Sequence, residues 1–230
     1  MKNIIVTGTA RSYTSLTMQL LELMGVPLSF DQELNEGVNL RHNSNGLYEL
    51  NRHVIDGIRT DKYDGTAIKL MLGALFPNSK NGHSGTPYQF VKDYNIVMCL
   101  RDPKEIAYSA YKINKLQGFT PQYPLLELGG FLMWLQDHRG LFKNITTVDT
   151  SLYFNDLEGA LKRLSQATGV KYNPAMLSKA RQKIFDKKVS PSNWNVEDDA
   201  IGQLLDNVYE SLIANDFDKA INYITEVYCV

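Results

Sequence analysis

The feature that most constrains this 230-residue chain lies at its start. Residues 3–7 form an apolar strand pattern that runs into Gly8-Thr9-Ala10-Arg11-Ser12-Tyr13-Thr14-Ser15. Leu16, Leu20, Leu21, Leu23 and Met24 then recur at helical spacing, and Gly25 and Pro27 supply the stop. A strand, a tight turn and a helix N-terminus bring free N–H groups and the positive end of the helix dipole to one point. Arg11 adds a fixed cation, and Thr14 and Ser15 add hydroxyl donors. The segment reads as a cradle for phosphate or sulfate. A plain strand–turn–helix connection with incidental polar residues is the alternative that the segment alone leaves open.

Three further segments read as strands, at 66–70, 95–100 and 145–148. The patterns at 3–7 and 95–100 are nearly continuous apolar runs, as in a parallel sheet covered on both faces. Helical patterns alternate with them. One starts with Asp102 as N-cap, Pro103 at the first position and Glu105 closing a capping box. Another spans 126–142, and a third begins near Asp156, carries Leu157, Leu161 and Leu164, and stops at Gly169. Two or three more fill the last sixty residues. This alternation implies right-handed crossovers and an α/β fold, a three-layer α/β/α sandwich around a parallel sheet. One domain over 1–230 is expected, with an α/β core at 1–170 and a helical C-terminal segment at 171–230. Residues 77–88, 117–124 and 187–197 read as loops, rich in Gly, Pro, Ser or Asn, and Leu152–Asn155 reads as a shorter one.

Charge and cysteine content limit the function classes. Lys and Arg number 24 against 25 Asp and Glu, which argues against a general nucleic-acid binder. An anion site must then be local. Cys99 sits in an apolar run and Cys229 is next to last, so no disulfide framework is suggested and a reducing, cytoplasmic setting is expected. No apolar run approaches membrane-spanning length, and no membrane partner is expected.

The first loop is not a Walker A motif. Counted from Gly8, Tyr13 stands at the second glycine position and Thr14 at the lysine position. A metal-dependent nucleotide hydrolase is disfavoured, and no metal is expected. A second polar element follows the strand at 95–100. Arg101 ends it beside the Asp102 cap, and Ser109 lies two helical turns on, where one phosphate could touch both. Asp102 as a magnesium ligand and Arg101 in a surface ion pair are the competing readings.

Together these elements resemble the sulfotransferases that use 3′-phosphoadenosine 5′-phosphosulfate (PAPS). The similar segments are Gly8 to Leu16 and Leu100-Arg101-Asp102-Pro103-Lys104-Glu105-Ile106-Ala107-Tyr108-Ser109. The second is the more specific. Asn45-Gly46-Leu47-Tyr48-Glu49 is similar to a Gly-Tyr-aromatic-Glu segment of bacterial and heparan-type members, and Ala67-Ile68-Lys69 to their second strand with its lysine. The likeness covers about residues 3–170. It implies a P-loop-type fold in which Thr9, Ala10, Arg11, Ser12, Tyr13, Thr14 and Ser15 bind the 5′-phosphosulfate, and Arg101 and Ser109 the 3′-phosphate. Lys187 and Lys188 stand in by position for a C-terminal Gly-Lys motif. Tyr13 replaces the usual loop glycine and Ala10 the usual proline. A non-glycine residue at 13 is expected to avoid positive φ, giving a differently shaped loop.

The resemblance implies transfer of a sulfuryl group from PAPS to a hydroxyl or amine, on a small-molecule or saccharide acceptor, leaving 3′-phosphoadenosine 5′-phosphate (PAP). Positioning and charge stabilisation would carry the rate, by analogy with phosphoryl transfer. Arg11 and Lys69 would neutralise the leaving group. Glu49 is the candidate base, its basicity raised by apolar neighbours such as Leu47, Tyr48 and Leu50. A solvated Glu49 is the alternative. The base histidine of small-molecule members would fall near Met71, which cannot act. His42, His53, His83 and His138 share no metal-ligand spacing. Trp194 with Lys187 and Lys188 reads as a lid or a plain hydrophobic anchor. Two rival functions remain: a P-loop-type kinase, which should need magnesium and a loop lysine, and a non-catalytic nucleotide-binding relative.

Overall fold

A computed structural model describes residues 3–31, 48, 50, 63–75, 88–113, 122–185 and 199–228. In chain order the elements are β1 (Asn3–Gly8), α1 (Thr14–Leu23), β2 (Leu28–Ser29), β3 (Ala67–Lys69), α2 (Leu72–Leu75), α3 (Tyr88–Val91) and β4 (Tyr94–Leu100). There follow α4 (Pro103–Ile113), α5 (Gln122–Asp137), a 3-10 helix (Arg139–Asn144), β5 (Ile145–Asp149), α6 (Leu152–Asn155), α7 (Leu157–Thr168), α8 (Met176–Phe185), α9 (Asp199–Ile213) and α10 (Phe217–Tyr228). The five strands form one parallel sheet in the order β2-β3-β1-β4-β5.

Two apolar layers cover the sheet, and strand alternation assigns residues to them. Ile5, Ile68, Ile96, Met98 and Leu100 face a core shared with Phe131 and Leu132 of α5, Leu205, Val208 and Leu212 of α9, and Ile221 and Ile224 of α10. Ile4, Val6, Ala67, Val97, Cys99 and Val148 face the other, built with Leu16, Leu20 and Leu21 of α1, Leu161 and Leu164 of α7, and Ala180 of α8. The period of two splits successive β1 residues between the layers, and both layers are apolar, so the strand reads as continuously apolar. Ile4, Ile5 and Val6 are fully buried. Each contributes roughly 1.5–3 kcal/mol by leaving water. The expected α/β/α architecture with a central parallel sheet is the one observed.

Local stop and start signals work as read. Gly25 at φ 82 follows α1. Asp156 caps α7 by accepting from the Gly159 N–H, and Gly169, at φ 73, ends it. Three readings differ. Residues 122–124 belong to α5 rather than to a loop, because Pro124 falls in the first turn, where its missing N–H would have no helical partner. Leu152–Asn155 is a short helix. The edge strand β2, only two residues long, has no periodicity to reveal it.

Candidate anion site

The C-terminal edges of β1 and β4 meet at Gly8 and Cys99, which are register partners. A Cβ on Gly8 would sit 2.3 Å from Ser12 Oγ and 2.7 Å from the Cys99 carbonyl oxygen. Only glycine lets the loop fold back this closely over the neighbouring strand. Ser12 is fully buried and donates from Oγ to the Thr9 carbonyl at 2.8 Å, while its N–H donates to the same oxygen at 3.2 Å. The Ser12 side chain thus braces the turn from inside.

Beyond Ser12 the backbone departs from the expected course. Arg11 has φ 73 and Tyr13 φ 62, both left-handed, with Ser12 between them on the ordinary side. Tyr13 does adopt positive φ, against the sequence expectation. It is the N-cap of α1 and has no side-chain cap. A left-handed non-glycine residue costs roughly 1–3 kcal/mol and persists only where surroundings over-determine it. Here they do. The Tyr13 ring lies 4.3 Å below the Arg101 guanidinium carbon and packs on Phe154, with centroids 5.2 Å apart. Its carbonyl accepts from the Thr17 N–H at 2.9 Å and from Thr17 Oγ1 at 3.1 Å.

Alternating left- and right-handed residues turn successive N–H groups inward, forming an anion-binding concavity. The N–H groups of Arg11, Tyr13 and Thr14 have no protein acceptor among the described residues. The Ala10 N–H donates to Glu127 Oε2 at 3.3 Å. Glu127, on α5, is a half-buried carboxylate at the rim of the concavity and was not visible from sequence. Its partner lies 117 residues away.

The arginines are arranged as follows. Arg101 is 8% exposed, donates from Nε to Glu105 Oε2 at 2.9 Å and from Nη1 to the Arg11 carbonyl at 3.0 Å. The ion pair considered for Arg101 exists, but buried and inside the site. Glu105 therefore does not close a capping box with Asp102. Asp102 itself caps α4, accepting from the Lys104 N–H at 2.7 Å. Arg11 is exposed and donates from Nε to Ser109 Oγ at 3.1 Å. Although the side chain as a whole stays exposed, desolvation of its guanidinium by the surrounding loop, and then the Arg101 cation, push the Arg11 pKa down. Both guanidinium groups thus crowd one rim of the sheet. Lys69, 4% exposed at the end of β3, donates from Nζ to Ser15 Oγ at 3.2 Å.

Beneath the loop lies a buried polar cluster. Thr17 Oγ1 is 2.7 Å from the Tyr153 hydroxyl and 3.1 Å from Cys99 Sγ. Because Thr17 spends its single proton on the Tyr13 carbonyl, Tyr153 and Cys99 are the donors to it. Burial raises the Cys99 thiol to about 12 and lifts the Tyr153 phenol well above its ordinary value. Both are neutral and inert at physiological pH. The cluster ties α1, β4 and α6 together under the left-handed backbone.

Of the expected site residues, Thr9, Ala10, Arg11, Ser12, Tyr13, Thr14, Ser15, Lys69, Arg101 and Ser109 converge on this rim. Thr9 and Thr14 are almost wholly buried. Glu49, Lys187 and Lys188 lie outside the described residues, as do Trp194, His42, His53 and His83. The neighbours Tyr48 and Leu50 are both buried, and Tyr48 donates to Glu22 at 3.3 Å. His138, just past α5, stacks on Trp134 at 4.5 Å and bonds to its carbonyl through Nδ1, away from the loop. Among the described residues no cluster of His, Cys, Asp or Glu is placed to hold a metal ion, and no helix is long and apolar enough to cross a membrane.

A parallel α/β sheet with a strained loop between its first strand and first helix defines a P-loop-type fold. Two solved structures share this fold with the chain. Mouse sulfotransferase SULT7A1 complexed with PAP superposes with a TM-score of 0.51 at 13% identity, covering 100% of this chain and 89% of that one. Retinol dehydratase, in complex with androsterone and the inactive cofactor PAP, gives 0.51 at 13% identity over 97% of this chain and 80% of that one. At these identities what is shared is the sulfotransferase fold. No family model matches the sequence, and no curated protein matches it.

Proposed function

We propose that the protein is a sulfotransferase that moves a sulfuryl group from PAPS to a hydroxyl or amine acceptor. The observation that carries this reading is the pair of left-handed residues, Arg11 and Tyr13, which keep three N–H groups without protein acceptors among the described residues, beside two guanidinium groups. Strain held in place this firmly is a mark of a binding site. The donor set, made of N–H groups and arginines at a helix N-terminus, suits a doubly phosphorylated nucleotide. The fold shared with two PAP-bound proteins supports the same ligand.

The donor nucleotide supplies the activated sulfuryl group. The chain's own residues would position it and balance its charge. The N–H groups of Arg11, Tyr13 and Thr14 would hold the 5′ end. Lys69, sequestered from water beside Ser15, would place a cation against charge that develops on the departing phosphate. Its burial makes the interaction stronger than in water. Glu49 remains the proposed base for the acceptor.

Calorimetric titration tests the reading. Adenosine 3′,5′-bisphosphate is expected to bind in the micromolar range without metal, and more tightly than ATP with magnesium. Tighter binding of magnesium-ATP would shift the assignment to a kinase. Bisphosphate binding without sulfuryl transfer to a broad panel of alcohols and amines would leave a non-catalytic relative. Glu49→Gln is expected to keep nucleotide affinity and lose turnover.

A further inference from the structure

Resting on the sulfotransferase reading above, we infer that the acceptor joins an apolar body to a positively charged ammonium group, and that Glu127 and Leu126 of α5 are the residues that select it.

The sheet order separates two crevices. The loop N–H groups, Arg101 and Ser109 gather over the β1–β4 side. That is where the strand order reverses, the usual ligand crevice of an open parallel sheet. β3 flanks β1 on the other side, and Lys69 at its end directs a cation to Ser15 beside the loop. With the nucleotide on the first side, the crevice between β1 and β3 is left for the acceptor.

Glu127 stands at this second crevice. Its Oε2 accepts from the Ala10 N–H, on the loop after β1, at 3.3 Å. Its Oε1 is turned toward Gly73 of α2, the helix that follows β3: a Cβ built on that glycine would lie 3.9 Å from it. The half-buried carboxylate thus spans the ends of both strands. Charge in such a place is only partly screened and acts on whatever enters. A carboxylate beside an anion cradle works against the nucleotide alone. It works for the complex of both substrates when the second one brings a positive charge. An alcohol brings none, and a carboxylate or sulfate is repelled.

Leu126 supplies the other half. It is the next residue on α5 and is 60% exposed, the most exposed large apolar side chain among the described residues. A single exposed leucine is ordinary on a surface. This one adjoins a carboxylate that reaches the loop, and neighbouring helix residues rise about 1.5 Å along the axis. An apolar body packed on Leu126 would therefore bring an attached ammonium to Glu127. Small-molecule sites are built in this way, from apolar contact with a few placed polar groups. The ammonium serves recognition. The attacking hydroxyl or neutral amine is another group of the same molecule.

The test uses three probes with one body: cyclohexylmethylamine, cyclohexylmethanol and cyclohexanecarboxylate. Each is titrated at neutral pH, by ligand-observed NMR, into wild type, Glu127→Gln and Leu126→Asn saturated with adenosine 3′,5′-bisphosphate. Saturation is measured first, which checks the fold of each variant and judges the nucleotide reading separately. Wild type is expected to bind the amine about tenfold more tightly than the alcohol, the gain typical of a charge-assisted contact, with the carboxylate weakest. Glu127→Gln is expected to level the amine and the alcohol. Leu126→Asn is expected to weaken all three probes by a common factor and keep their order. An alcohol bound as tightly as the amine by wild type, or an amine preference that survives in Glu127→Gln, overturns the inference. Binding unchanged in Leu126→Asn overturns it as well. Bisphosphate binding with no binding of any probe overturns the inference and leaves the nucleotide reading standing. A wild type that does not bind the bisphosphate removes that reading and this inference with it.

Discussion

The Arg101 guanidinium carbon lies 4.3 Å from the centroid of the Tyr13 ring, and that stack clamps a tyrosine whose backbone sits at φ 62. The contact explains how a bulky residue occupies a left-handed position that glycine would take without strain. Cation–π attraction at a partly buried site contributes about 0.5–2 kcal/mol, and the Phe154 pair about 0.5–1.5 kcal/mol more. These gains are of the size needed to offset the backbone cost.

Tyr13→Ala keeps the left-handed backbone and loses both ring contacts, so a loss of about 1–3 kcal/mol is expected. Tyr13→Gly loses the same contacts but relieves the strain, and should come out more stable than the alanine variant by about 1 kcal/mol. Urea melts of the two variants compare them directly. Equal stabilities would mean that the backbone at Tyr13 stores no strain.

Thr17 and Tyr153 form the second support of the loop. Thr17→Val leaves the Tyr153 hydroxyl buried without its acceptor, at a cost of about 1–3 kcal/mol. Tyr153→Phe in the same chain removes the orphaned group. The double variant should therefore lose less than the sum of the single losses, with a coupling of about 0.5–3 kcal/mol. Strict additivity in a double-mutant cycle would show that the two hydroxyls do not support each other.

Cys99 sets an alkaline limit on stability. Its thiol pKa rises from 9.0 to about 12 because burial disfavours the thiolate. The folded chain therefore holds this proton more tightly than the unfolded chain. Its contribution is fully present below pH 9 and is lost as pH climbs toward the folded value. In that window each such group removes about 1.4 kcal/mol per pH unit. Tyr153, raised in the same direction, steepens the decline above its ordinary value of 10.0. Urea melts between pH 7.5 and 10.5 should show falling stability, with a shallower slope in Cys99→Ala. A slope unchanged by that substitution would remove Cys99 as the cause.

Glu127 places a negative charge beside the loop proposed to hold the nucleotide. Its carboxylate accepts from the Ala10 N–H at 3.3 Å, one residue before the left-handed pair. Glu127→Gln keeps an oxygen acceptor for that N–H and deletes the charge. Affinity for adenosine 3′,5′-bisphosphate is expected to rise about two- to tenfold, as for removal of a nearby charge in a partly screened site. Titration of the variant checks it, and unchanged or weaker binding would show that the carboxylate does not oppose the bound anion.

The sequence by itself determined the elements whose signals are local. An apolar strand met by Gly8, the Asp102-Pro103 start of α4, and the Asp156 and Gly169 ends of α7 each act within a few residues, so pattern and capping chemistry specify them. Strand–helix alternation then fixed the sheet type and brought the loop and Arg101 to one rim. Tertiary structure alone decided how the site is wired. Arg11 reaches Ser109 across 98 residues, Ala10 meets Glu127 across 117, and Thr17 meets Tyr153 across 136. Spacing carries no information about partners that far apart. The left-handed Tyr13 belongs to the same class, because its local preference points away from positive φ and distant contacts from Arg101 and Phe154 override it.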